Sequence, residues 1–137
     1  MILCVNSKPA INDITIAELI VVMKNACKLN RILDHAYNVS KSLIISETGS
    51  ASPCLDLSRI NSDLVDLIIK NNVDLVLLEG MGRSIHTNYH ARFSCDCLKI
   101  AIIKNQWLAE RFGLTTENKN NEKKFPIVFK YENADEK

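Results

Sequence analysis

One aspartate, two well-separated cations and a set of amides in this 137-residue sequence are of the types that handle phosphate. Arg83 can grip a phosphate through two parallel hydrogen bonds, and Lys104 adds a point charge. Gly80 and Gly82, flanking Met81, let backbone N–H groups approach phosphate oxygens closely. Asp13 can ligate a hard divalent cation, which commonly takes one or two carboxylates and completes its shell with water and phosphate oxygens. Asn6, Asn12 and Asn88 supply amide groups around them. Phosphoryl transfer asks chiefly for positioning and charge neutralisation, and this set offers both.

Each of these residues also has a structural reading. Asp13 just ahead of a helix is an ordinary partner of the helix dipole, and Arg83 or Lys104 taken singly is a solvated charge. Gly80-Met81-Gly82 can be a tight turn, and it matches neither the P-loop nor the dinucleotide fingerprint. Lys99, inside an apolar strand, is expected to snorkel to the surface. His86, His90, Cys95 and Cys97 form a competing constellation, a Cys2His2 zinc site, although the single-residue gap between the cysteines is tighter than usual zinc spacing. No G-x-S-x-G elbow supports a serine hydrolase. The phosphate reading gains from convergence, because its residues follow predicted strands.

Those strands are read as follows. Residues 2–5 are a short apolar run ending at Asn6-Ser7-Lys8-Pro9, and a helix occupies the apolar stretch from Ile14 to Leu33, with Thr15 and Glu18 at capping-box spacing. Apolar residues surround this helix, which predicts burial on more than one side. Leu43-Ile44-Ile45 is a second strand, followed by a small-residue loop from Thr48 to Pro53. A helix starts near Ser58 or Ser62 and ends at Asn71-Asn72. Asp74 to Glu79 is a continuous apolar run, the mark of a parallel strand covered on both faces and hence central. A polar loop runs from Gly80 through Arg92, a strand covers Leu98 to Ile103, and a short helix lies around Trp107 to Phe112. A last strand, Ile127 to Tyr131, is placed at an edge by Pro126. Residues 115–124 are polar throughout and read as a mobile surface insertion. This alternation predicts an α/β fold: a three-layer, open, mainly parallel, Rossmann-like sheet with helices on both faces and ligands beyond the carboxyl ends of the strands. Asn6, Asn12, Asp13, residues 48–52, residues 79–83 and Lys104 would then face one crevice.

The composition fits one globular domain: 47% hydrophobic and 24% charged residues, with 17 basic against 16 acidic side chains. A net charge of +1 gives no pull toward nucleic acid or membrane. No signal peptide or bilayer-length apolar run is visible, and five irregularly spaced cysteines suit reduced thiols, so a cytoplasmic location is expected.

Several segments taken together resemble the metal-dependent damage-control phosphatases. They are Asn6-Ser7-Lys8-Pro9-Ala10-Ile11-Asn12-Asp13, Gly49 to Ser58, Glu79-Gly80-Met81-Gly82-Arg83 with His86-Thr87-Asn88, Leu98-Lys99-Ile100, and Lys104-Asn105 before Trp107-Leu108-Ala109-Glu110. The likeness is strongest to the branch found at the C-terminus of pantothenate-kinase-like proteins, and it runs from about Asn6 to Tyr131. It implies hydrolysis of small-metabolite phosphate monoesters, 4'-phosphopantetheine or its damaged forms, in coenzyme A metabolism. It implies a divalent metal (manganese, cobalt, nickel or magnesium) with Asp13 as a ligand. It also implies a phosphate site of Arg83, Asn88 and Lys104, shaped by Asn6 and the Gly80 to Gly82 backbone. The family's first metal ligands are an Asp-Asn pair upstream of the segment that begins at Asn6. Five residues precede Asn6 here and none is Asp or Asn, so the chain is expected to be the C-terminal portion of such a domain. Its expected partners are the missing N-terminal part or a fused kinase-like domain. The alternative expectation is a non-catalytic phosphate-ester-binding module.

Overall fold

The computed structural model describes residues 1–115 and 125–135. The chain divides into two compact units, Met1–Asn72 and Val73–Lys137. The α/β class is as expected, but the strands fall into two sheets. The polar run read at 115–124 lies, apart from Thr115, outside the described residues.

In the first unit, β1 (Ile2–Val5) and β2 (Ile44–Glu47) pair in parallel, Ile2 opposite Ile44 and Val5 opposite Glu47. Between them run α1 (Ile16–Leu29), the short α2 (Arg31–Asp34) and a π-helical turn, His35–Val39. Thr15 caps α1 as its spacing predicts. Its Oγ1 accepts from the Glu18 N–H at 3.4 Å, and the Glu18 carboxylate accepts from the Thr15 N–H at 2.8 Å. The expectation of burial on several sides of α1 is corrected. Leu19, Met23 and Cys27 recur every four residues and form one buried stripe, whereas Val21 and Val22 are exposed. That stripe packs with Val5 and Leu43 into the unit's core. α3 (Ser62–Lys70) follows, with the Asn61 side chain accepting from the Asp63 N–H and Asn71 closing its end.

In the second unit, β3 (Leu75–Glu79), β4 (Asp96–Ile102) and β5 (Ile127–Glu132) lie in the order β3-β4-β5, parallel then antiparallel. The central strand is therefore β4, and the reading of Asp74 to Glu79 as central is corrected: β3 is an edge of this sheet, with Leu75 and Leu77 half exposed. A run of consecutive apolar residues implied cover on both faces, but here one face carries a row of exposed and half-buried apolar side chains. Leu77, Leu98 and Tyr131 are cross-strand neighbours there, as are Ile100 with Phe129 and Ile102 with Ile127. The other face holds Cys97, Lys99 and Ala101, all at most 1% exposed. Ala101 joins Ile85, Ile103, Leu108 and Ala109 in the unit's core beneath α4 (Gln106–Arg111). β5 lies at an edge behind Pro126, as read, and all five cysteines are free thiols. Among the described residues no helix is long and apolar enough to cross a membrane.

Candidate functional site

The residues singled out from sequence fall in two places. Asn6 and Asp13 belong to the first unit; Gly80, Gly82, Arg83, Asn88 and Lys104 belong to the second.

Because β1 and β2 are parallel, the loops that leave them emerge at the same edge and bind each other. The Ser7 N–H donates to the Ser50 carbonyl at 2.9 Å, and the Gly49 N–H donates to Ser7 Oγ at 2.8 Å. Gly49 has φ +86, and a Cβ there would crowd the Asn61 backbone nitrogen at 3.2 Å, so this crossing suits glycine alone. Asn6, 1% exposed, lies at the centre: its Nδ2 donates to the Ser52 carbonyl at 3.1 Å and faces Asp13 Oδ2 at 3.4 Å. The turn that presents Asp13 is closed by its own N–H on the Ala10 carbonyl, 3.0 Å, and carries Ile11 at φ +55, a rare conformation for a β-branched residue. Asn6 is thus a holder of the aspartate and of the second loop, a part that its side-chain type alone did not disclose.

For a divalent cation, Asp13 supplies one oxygen ligand of the right hardness. Among the described residues no group of three or more His, Cys, Asp or Glu side chains is placed to hold a metal. Asp13 alone does not fit a complete cage, and no step is assigned to a metal from these residues. The same finding removes the zinc alternative. His86 packs edge-on against Trp107 and His90 against Tyr89, while Cys97 is buried in the sheet face, so the four do not converge.

In the second unit, the parallel pairing of β3 with β4 brings Glu79-Gly80 and Ile103-Lys104 out at one edge. The Gly80 N–H donates to the Ile100 carbonyl at 2.9 Å, and Gly80 sits at φ +104, ψ 147, a region open essentially to glycine. The polar loop expected from Gly80 is corrected in its first part to a π-helical turn, Met81–His86. Such wide turns are rare and recur at functional sites. Ser84, fully buried and not singled out from sequence, anchors it: its Oγ lies 2.8 Å from the Gly80 carbonyl and 3.1 Å from that of Ile100. The Arg83 guanidinium folds back over Gly80, its Nη1 3.8 Å from where a Gly80 Cβ would stand. Asn88, buried, donates from Nδ2 to the Arg83 carbonyl at 2.7 Å and to Thr87 Oγ1 at 3.0 Å. Both N–H groups of its amide are thereby directed at the protein. Lys104 lines an open groove of about 610 Å³ with Asn105, Gln106, Trp107 and Glu110. The His86–Trp107 ring contact, 6.0 Å between centroids, ties the π-helical turn to the start of α4 beside that groove.

Lys99 does not snorkel. It is 0% exposed, and its ammonium meets the Glu132 carboxylate at 2.5 Å. Lys130 reaches the other oxygen of Glu132 at 2.7 Å, and these two lysines hold the Glu132 pKa below its ordinary value.

The arrangement is a strand-end turn that sets an arginine beside a half-buried glycine backbone, with a lysine leaving the neighbouring strand at the same edge. The chain is 33% identical to a mouse protein named 4'-phosphopantetheine phosphatase, over 96% of this chain and 21% of that protein. It is 38% identical to pantothenate kinase 2 of Arabidopsis thaliana, over 81% of this chain and 14% of the relative. With a damage-control phosphatase of the same plant it shares 41% identity, over 82% of this chain and 30% of the relative. The chain thus spans less than a third of the length of each of these relatives. Residues 1–119, which carry Asp13, the Gly80–Arg83 turn, Asn88 and Lys104, match the family described as the damage-control phosphatase ARMT1-like domain, and the chain belongs to that family.

Proposed function

We propose that the chain supplies the phosphate-gripping part of a damage-control phosphatase acting on small-metabolite phosphate monoesters, with 4'-phosphopantetheine or a damaged form of it as substrate. The observation that carries this reading is the Gly80–Arg83 turn. A glycine-only backbone at the end of β3 and an arginine folded over it present a fork-shaped cation to a tetrahedral anion, with N–H groups of the same turn nearby. Lys104, at the end of the adjacent parallel strand, adds a second positive charge, and its groove has room for the organic part of an ester. Asn88, by its hydrogen bonds, orients Arg83 in this reading.

The damage-control phosphatases are in general divalent-metal enzymes, and manganese, cobalt, nickel or magnesium is the proposed ion. Held by Asp13, such an ion would supply Lewis-acid charge neutralisation and an activated water. Asp13 is the proposed ligand from this chain, oriented by Asn6. The names of the relatives, a 4'-phosphopantetheine phosphatase and a pantothenate kinase, support a place in coenzyme A metabolism and a fused kinase-like domain as partner; a cytoplasmic setting is proposed with them.

A second reading has its own support. With a single carboxylate at the first site and no metal-holding group among the described residues, the chain can act as a phosphate-ester-binding module without turnover. One experiment separates the two. Phosphate release from 4'-phosphopantetheine is measured with manganese or cobalt for the full chain, Asp13→Ala and Arg83→Ala, beside calorimetric binding of the ester without metal. Metal-dependent release lost in both variants supports the phosphatase. Binding without release, lost in Arg83→Ala and kept in Asp13→Ala, supports the module. Neither release nor binding overturns both.

A further inference from the structure

We propose that Lys99, held by Glu132, is a positioning residue for the phosphate grip: it fixes the Thr87–Ala91 loop and, through Asn88, the backbone of Arg83. This inference rests on the reading of Arg83 as a phosphate ligand.

The Lys99 ammonium has three N–H groups and meets three acceptors: the Ala91 carbonyl at 2.5 Å, the Tyr89 carbonyl at 3.1 Å and Glu132 Oε2 at 2.5 Å. With all three engaged and no exposed surface, it does not serve a ligand directly. Lys130, its register partner on β5, repeats the grip from the side. Its Nζ donates to the Tyr89 carbonyl at 3.0 Å and lies 4.7 Å from the centre of the Tyr89 ring. Two cations, themselves held by one carboxylate, therefore grip one loop by its carbonyls. That loop contains Asn88, whose amide donates to the Arg83 carbonyl and whose own carbonyl accepts from the Ala91 N–H at 3.1 Å. Thr87 Oγ1 donates to the Gly82 carbonyl at 2.8 Å. The path from Glu132 to Arg83 thus runs through named hydrogen bonds.

Stability alone does not call for this arrangement. Replacing a buried ion pair with apolar side chains of similar volume is often neutral or stabilising, because the charges give up their hydration. An apolar pair cannot aim two donors at loop carbonyls, however. The charge supplies direction, and direction is what the arginine turn needs.

The test uses the full chain. Lys99→Met combined with Glu132→Leu removes the directional grip and keeps the volume, whereas Glu132→Gln keeps an acceptor for Lys99 and removes only the charge. Three quantities are read: Tm, the dissociation constant for inorganic phosphate, and hydrogen exchange of the backbone amides of 82–88. The double variant is expected to keep its Tm within a few degrees while phosphate affinity falls about tenfold or more, as misplacement of a binding group implies. The 82–88 amides should exchange about tenfold faster, with those of β4 unchanged. Glu132→Gln should shift both in the same direction by a smaller factor, and it carries the test if the double variant does not fold. Native-like exchange at 82–88 in a folded variant overturns the proposal, as does unchanged phosphate affinity. If the parent chain and Arg83→Ala bind phosphate equally, the underlying reading of Arg83 fails, and the exchange measurement still decides whether Lys99 positions the turn.

Discussion

Replacing Gly80 with alanine isolates the backbone geometry on which the arginine turn depends. Gly80 has φ +104 and ψ 147, and an added Cβ would meet only Arg83 Nη1, at the ordinary contact distance of 3.8 Å. Crowding is therefore absent, and the whole effect comes from the backbone. Holding a non-glycine residue in this region costs on the order of 1–3 kcal/mol. Rotating out of it breaks the Gly80 N–H bond to Ile100 and the bonds that Ser84 makes to the Gly80 carbonyl from its N–H and hydroxyl. Three such bonds at about 1 kcal/mol each amount to a similar cost, so neither route escapes it. Gly113→Ala is the control, with φ +67 and nothing within 4 Å of the added atom. Urea unfolding followed by the single tryptophan, Trp107, gives stability, and calorimetry gives inorganic phosphate affinity. Gly80→Ala should lose about 1–3 kcal/mol and bind phosphate more weakly. Gly113→Ala should lose about 1 kcal/mol and bind phosphate as the parent does. If Gly80→Ala unfolds within about 0.5 kcal/mol of the parent and binds phosphate equally well, the reasoning is wrong.

Three further outcomes are expected. Ser84→Ala leaves the Gly80 and Ile100 carbonyls without its buried hydroxyl and should destabilise by about 1–3 kcal/mol in the same urea assay. Ile11→Asn, at an exposed position with φ +55, should stabilise by roughly 1 kcal/mol, because asparagine tolerates the left-handed region that a β-branched residue resists. Four carboxylates are held below their ordinary pKa: Glu18 by the Thr15 N–H and hydroxyl, Asp56 by the Ser58 hydroxyl and N–H, Asp96 by the Tyr131 hydroxyl and the Ala134 N–H, and Glu132 by Lys130 and Lys99. Each is ionised more readily folded than unfolded, so its contribution is present above about pH 4 and disappears as pH falls through the lowered values. Chemical denaturation at a series of pH values should show that loss on the acid side, and Glu132→Gln should flatten part of it.

What could be read in the sequence was local. The Thr15–Glu18 cap, the Asn71 helix end and the strand ahead of Gly80 each depend on neighbours within a few positions, and each stands where its spacing puts it. The central strand was misassigned because Leu75 to Leu78 is apolar whichever faces are covered, and its partners are chosen elsewhere in the chain. A π-helical turn at Met81–His86 has no periodic signature at so short a length. Lys99 was misread for a related reason: its counter-charge, Glu132, lies 33 positions away and nothing beside Lys99 announces it. At the candidate site, residue types pointed to Arg83 and Asp13. Of the side chains that hold those regions in place, Asn6 and Asn88 were read as site residues and not as holders, and Ser84 was not read at all.

The apolar face of the β3-β4-β5 sheet, with Phe129 and Ile127 more than half uncovered, is expected to respond to salt in the opposite sense to the cations at the strand ends. Ionic strength screens the attraction of Arg83 and Lys104 for an anion. Sulfate and phosphate, being excluded from protein surfaces, strengthen contact between apolar faces instead. If Arg83 and Lys104 bind phosphate as proposed, concentrated salts of this kind should weaken that binding while favouring contact between apolar sheet faces.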